Sequence, residues 1–189
     1  MGTRGLYGLR KNGIDKTSYN HFDSYPNGLG RDILGFIKNH SAKEMNTFYD
    51  RIIMVNEQTE PTTQEIENCI TNQSVNLDVS SRSFNDWYCL LRNLQGDLNA
   101  LYECKAAYMT DGHEFIKDSL FCEYAYIINL DTNKLEFYEG FQARPQKGNR
   151  YGETPFDEYY PCALVAEIPF VLIQSTDVDE IINQFMKGD

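Results

Sequence analysis

The sequence predicts an α+β fold in a single domain, residues 1–189, with a largely antiparallel sheet and helices packed on it. Three observations carry this. Turn chemistry marks a hairpin near each end of the chain: Asn12-Gly13 early, and Asp131 to Lys134 late. Between them lie only helical patterns, so helices are inserted between groups of strands. No linker or internal repeat divides the 189 residues, and hydrophobic residues at 41% suffice for one core.

Taken in order, Gly5 to Leu9 is short and apolar, and Thr17 to His21 pairs back on it, so residues 2–22 read as an opening hairpin. The stretch DSYPNGLGRD follows: Pro26 fixes φ, and Gly28 and Gly30 permit unusual backbone angles. A helix is expected from about Gly30 to Asn39 on Ile33, Leu34, Phe36 and Ile37. Ser41 with Glu44 is a capping box, opening a helix whose stripe runs through Met45, Phe48, Tyr49, Ile52 and Ile53. Thr62 with Glu65 repeats the box for a helix over Thr63 to Thr71, and residues 73–82 are loop-like.

Ser83 to Ala107 is the longest helical pattern, with Trp87, Leu90, Leu91, Leu94, Leu98 and Leu101 inward and Gly96 interrupting at modest cost. FCEYAYIINLDTNKLEFYEG reads as two strands, the first apolar enough to be central and covered on both faces. Residues 141–160 form a long loop of the kind that borders sites. Ala163 to Ile173 reads as a strand bent at Pro169, and Asp177 or Asp179 begins a last helix with Ile181, Ile182 and Phe185.

Charge and cysteine content narrow the function classes. A formal net charge of −11 repels duplex DNA, since the basic groups at Arg4, Arg10, Lys11 and Lys16 and at Arg144, Lys147 and Arg150 are sparse. Five cysteines without C-x-x-C spacing support neither zinc nor a disulfide framework and fit free thiols in a reducing, cytoplasmic setting. No apolar run spans a bilayer, and no cofactor is implied.

The densest chemistry lies in TSYNHFDSYPNGLG, Thr17 to Gly30. Its position at a strand end beside a helix N-terminus suits an anion. The pocket read here places Arg4, Asn20, Ser24, Tyr25, Gly28, Gly30 and Arg31 on a ligand, with His21 and Asp23 as acid–base groups. The bland alternative is a well-built turn, capped by Asp23 and Ser24 on backbone N–H groups, with His21 a structural hydrogen-bonder. Weaker constellations are Cys104 with His113, the carboxylates of Glu123, Asp131, Glu136 and Glu139 as metal ligands, and Tyr138, Phe141 and Arg144 as a stacking platform. Core packing and solvated faces explain each of these more simply.

MGTRGLYGLRKNG, YNHFDSYPNGLG and EYAYIINLDTNKLEFYEG together resemble an uncharacterised family found in phage, bacterial and fungal proteins. Its members open M-G-T/V-R-G and carry Y-N-H/Q-x-D-S-Y-x-x-G-L-G. The resemblance covers the first 40 or so residues and the 121–142 hairpin, not the middle helices, and implies kinship without an activity. The element order also resembles N-terminal-nucleophile hydrolases, implying a hydrolase-like layered arrangement. The chain departs from them at the decisive point: Gly2 has no nucleophilic side chain, and Thr3 is not terminal. Two readings stand: a binding protein for a host protein or a small anionic or nucleotide ligand, and a hydrolase or transferase of a small amide or phosphorylated substrate.

Overall fold

The computed structural model describes residues 2–186. Five strands form one sheet in the order β2-β1-β5-β6-β7: β1 is Gly5–Lys11, β2 Ile14–Asn20, β5 Tyr124–Asn129, β6 Lys134–Glu139 and β7 Ala163–Pro169. The two hairpins pair antiparallel as their turn residues dictate, and β1 joins β5 in parallel, Leu6 opposite Ala125 and Leu9 opposite Ile128. Thus β5 is central, and its apolar run is buried on both faces.

Alternation along the strands divides two cores. Tyr7, Leu9, Tyr126, Ile128, Leu135, Phe137 and Ile168 face a layer of five helices. These are α1 (Arg31–Asn39), α2 (Ala42–Arg51), α5 (Leu98–Glu103), α6 (Phe170–Ser175) and α7 (Val178–Phe185). Leu6, Ala125, Ile127 and Tyr138 face the other way, onto Ile116, Cys122 and Cys162. That face is covered by two irregular segments, residues 111–122 and 141–160, with a single short turn of 3₁₀ helix at Phe115–Lys117.

Three expectations are corrected. Ile52 and Ile53 leave the helix: Ile52–Val55 is a strand, β3, paired in parallel with β4, Ala107–Thr110. The β-branched residues Ile52, Ile53 and Val55 suit the pleat better than a helical turn. Ser83 to Ala107 is not one helix. It contains α4 (Trp87–Leu91), a 3₁₀ turn (Arg92–Leu94) and α5. Gly96 sits at φ +84°, and a Cβ there would stand 2.7 Å from Asn20 Oδ1, so the chain turns where only glycine fits. Asp86 and Asp97 then cap the two new N-termini, accepting from the Tyr88 and Ala100 N–H groups at 2.8 and 2.9 Å. Finally, β7 ends at Pro169, and Phe170 to Ile173 is helical instead of extended. The small β3–β4 sheet packs against α4 and α3 (Thr63–Thr71) through Val55, Tyr108, Trp87, Leu90 and Cys69.

Candidate functional site

The opening motif builds a turn before it builds anything else. Ser24 is fully buried and Asn20 is 6% exposed. Asn20 Nδ2 donates to Ser24 Oγ at 2.8 Å and to the Phe22 carbonyl. The Ser24 carbonyl accepts from the Tyr126 hydroxyl at 2.8 Å, and its N–H donates to the Thr3 carbonyl at 3.2 Å. The opening segment, the Asn20–Ser24 run and the central strand are therefore one interlocked unit. Asp23 lies at φ +52°, and its backbone carbonyl accepts from the Leu29 N–H at 2.8 Å. A Cβ at Gly28 would stand 2.1 Å from that carbonyl, so the loop closes only around glycine. The expected carboxylate cap is absent: the Asp23 carboxylate accepts no hydrogen bond among the described residues, and its main chain holds the turn.

The predicted site residues divide into separate surroundings. Gly30 packs against the Tyr126 ring, and Tyr25 turns outward, 41% exposed. Arg31 pairs with Asp179 across to α7. Asp23, Tyr25 and Gly28 line a groove of about 450 Å³ with Asn20, Asp32 and Asp97. The groove is acidic. Burial raises the Asp32 pKa, and the Asp97 charge raises it further.

Arg4 and His21 belong to a different surface. The Tyr19 hydroxyl hydrogen-bonds His21 Nδ1 at 2.6 Å, and the His21 N–H donates to Gln95 Oε1 at 3.2 Å. The imidazole meets the Phe22 ring edge-on at 4.3 Å and faces Tyr88 at 6.4 Å. The Arg92 guanidinium lies 5.3 Å from the Phe22 ring and 5.9 Å from Tyr88. Arg4 lies 5.1 Å from the Phe121 ring. Among the described residues neither arginine has a carboxylate within ion-pair distance, whereas Arg10, Arg31 and Arg150 do. Partial burial, then the charges of Arg92 and Arg4, hold the His21 pKa below its ordinary value. Arg4, His21 and Asp23 make no hydrogen bonds with one another.

Sequence reasoning missed a third place. A cleft of about 700 Å³ opens between the β1–β2 turn, residues 111–117 and residues 150–152. Beneath its rim Glu136 is 3% exposed and accepts from Arg150 Nη1 and Nη2 at 2.9 and 2.6 Å, Asn129 Nδ2 at 2.6 Å and the Tyr138 hydroxyl at 2.9 Å. Arg150 also donates to the Tyr151 hydroxyl, which donates to Asp15, which pairs with Arg10. Every charge in this chain of contacts is already matched. No local sequence signal marked it, because its members come from five separate segments.

The weaker constellations do not assemble. Cys104, just past the end of α5, donates to the Ala100 carbonyl of that helix, and burial raises its pKa, while His113 bonds Asp111 at 2.6 Å and Glu114 at 3.0 Å. Asp131 holds the first hairpin by accepting from the Asn12 and Gly13 N–H groups. Tyr138 is buried and Phe141 exposed, so they form no shared platform. All five cysteines are free thiols. Among the described residues no cluster of His, Cys, Asp or Glu is placed to hold a metal, and no helix is long and apolar enough to cross a membrane.

Fold and surface define an α+β protein whose five-stranded mixed sheet has helices on one face and irregular segments on the other, with a small two-stranded sheet beside it. Comparison with protein families, with curated proteins and with solved structures finds no match to this chain.

Proposed function

We propose that this is a non-catalytic binding protein for a small anion carrying a planar ring, the chemistry of a nucleotide. The site is the surface of Arg4, Tyr19, His21, Phe22, Tyr88 and Arg92, with Phe121 beside Arg4. One observation carries the reading: in a chain of net charge −11, two guanidiniums without carboxylate partners flank half-exposed aromatic rings. Guanidinium forks suit phosphate and carboxylate oxygens, and a ring stacked on an aromatic side chain contributes about 1–3 kcal/mol. Partial burial and the charges of Arg92 and Arg4 lower the His21 pKa and so favour the neutral imidazole, a hydrogen-bonding and stacking group. Hydrolysis or group transfer would call for an acid–base pair, yet His21 is partnered by Tyr19 and Asp23 is turned to the acidic groove.

The test is calorimetric titration with inorganic phosphate, adenosine and adenosine monophosphate. Saturable binding of the nucleotide is expected, tighter than either fragment alone. Arg4→Ala and Arg92→Ala should each weaken it at least about tenfold, with the melting temperature within roughly 2 °C of the parent. No binding of any of the three, or binding indifferent to both substitutions, overturns the reading.

A further inference from the structure

A second surface lies on the loop-covered face and meets the arginine-flanked one at Phe121, the ring beside Arg4. Leu120 and Phe121 stand at the tip of a hydrogen-bonded turn, 40% and 45% exposed, where the N–H groups of Phe121 and Cys122 return to the Asp118 carbonyl at 3.1 and 2.8 Å. Opposite them Phe156, 54% exposed, opens a tight two-residue turn closed by reciprocal bonds with Tyr159 at 2.8 and 3.2 Å. Turn tips ordinarily carry polar residues, since nothing there repays an apolar side chain left in water. Here large apolar side chains from two separate turns meet across a groove of about 470 Å³. Phe141 adjoins it, tied by its N–H to the Ser119 carbonyl at 2.7 Å and 55% exposed.

The charged side chains that line the groove are of one sign, while the Arg4 guanidinium lies 5.1 Å from the Phe121 ring. Asp118, Asp157 and Glu158 line the groove. Among the described residues their carboxylates take part in no hydrogen bond or ion pair, although nearly every other acid on this face is matched to a base or an N–H. We infer that this groove is a docking site for a basic peptide segment of a partner protein, one that alternates a hydrophobic anchor with lysine or arginine. The anchor would cover Leu120, Phe121 and Phe156, and the flanking cations would meet the three carboxylates. The aliphatic stems of lysine and arginine suit such a floor, because they pack on apolar surface while the charged heads reach the rim.

The experiment is fluorescence anisotropy with three short labelled peptides: alternating lysine and leucine, alternating glutamate and leucine, and alternating lysine and serine. The lysine–leucine peptide is expected to bind. The glutamate–leucine peptide should not, and the lysine–serine peptide should bind at least about tenfold more weakly, since it lacks the apolar anchor. Phe156→Ser, and separately Asp157→Asn with Glu158→Gln, should each weaken the lysine–leucine peptide by at least about tenfold. A control separates the groove from the protein's overall negative charge. Glu60→Gln with Glu67→Gln removes the same charge from a distant exposed region and should change nothing. If that control weakens binding as much as the groove variants, or if the groove variants bind like the parent, the assignment fails. Absence of lysine–leucine binding to the parent also overturns it. Circular dichroism on each variant establishes that the comparison is between folded proteins.

Discussion

Two polar regions of this molecule contrast sharply in how they are written into the chain. The opening motif packs Asn20, His21, Asp23 and Ser24 into five consecutive positions, while the Glu136 network draws on residues from Arg10 to Tyr151, with Asp15 and Tyr151 bonded across 136 positions. The contiguous cluster consumes most of its hydrogen bonds on its own backbone and on Tyr126, closing a turn. The dispersed cluster joins β1, β2, β5 and β6 to the 148–152 segment and pins the loop layer onto the sheet. Polar crowding along a sequence is thus a signal of local backbone accounting first. Long-range polar networks fix the layers and leave no local trace.

The largest effect should come from breaking the dispersed network. Glu136→Ala would strand Asn129, Tyr138 and Arg150 without their shared acceptor, and uncoupling a buried pair costs about 3 kcal/mol or more. Urea unfolding should show that loss, and Glu136→Leu combined with Arg150→Met should recover the part due to the unmet charge, while Asn129 and Tyr138 stay without their acceptor. Acid gives an orthogonal reading of the same contact. Burial raises the Glu136 pKa, but the bonds from Arg150, Asn129 and Tyr138 outweigh it, so the carboxyl titrates below its ordinary value. The folded state therefore holds this contribution in full above the unfolded pKa of about 4.3 and loses it as pH falls through the lower folded value. A parent protein whose acid unfolding matches that of Glu136→Gln would contradict this assignment.

The contiguous motif should respond more mildly. Ser24→Ala removes one acceptor of Asn20 Nδ2, while Asn20 still reaches the Phe22 carbonyl and the Ser24 main chain keeps Tyr126 and Thr3. The expected loss is about 1 kcal/mol, measured by the same urea titration. A loss larger than that of Glu136→Ala would reverse the ranking and make the turn, not the loop layer, the weak point of the fold.

What the sequence reveals follows the same division between local and distant. Both hairpins are visible because their turn residues are neighbours, and both capping boxes form as spaced: Glu44 and Glu65 accept from the N–H groups of Ser41 and Thr62 at 2.8 and 2.7 Å. Strand β3 is hidden because Ile52 continues the helical spacing of α2 until the chain turns extended to pair with β4, more than 50 positions away. The break at Gly96 is hidden because the leucine spacing runs through it. Only the approach of Asn20 from the opening hairpin requires that glycine. At the site, the motif's location was legible and its division was not: which way Arg4, His21 and Asp23 face depends on Phe121, Arg92 and Asp97, all distant in sequence.

The smallest effect tests the most tempting local reading, that an aspartate in a strand-to-helix turn caps it. If the carboxylate were the cap, replacing it by an amide would weaken charge-assisted bonds to backbone N–H groups and cost stability, on the order of 1 kcal/mol. In this turn the bond to the Leu29 N–H comes from the Asp23 main chain, which any residue supplies. The side chain's remaining role is to tolerate φ +52°, and asparagine tolerates the left-handed region at least as well as aspartate. Asp23→Asn also removes one negative charge from a groove that holds Asp32 and Asp97, where like charges repel. The expected change is therefore neutral to slightly stabilising, within about 0.5 kcal/mol, and any gain should shrink as added salt screens the groove. Thermal melts of parent and variant at low and high salt decide it. A clear loss of stability, insensitive to salt, would return the cap to the carboxylate and restore the local reading of the motif.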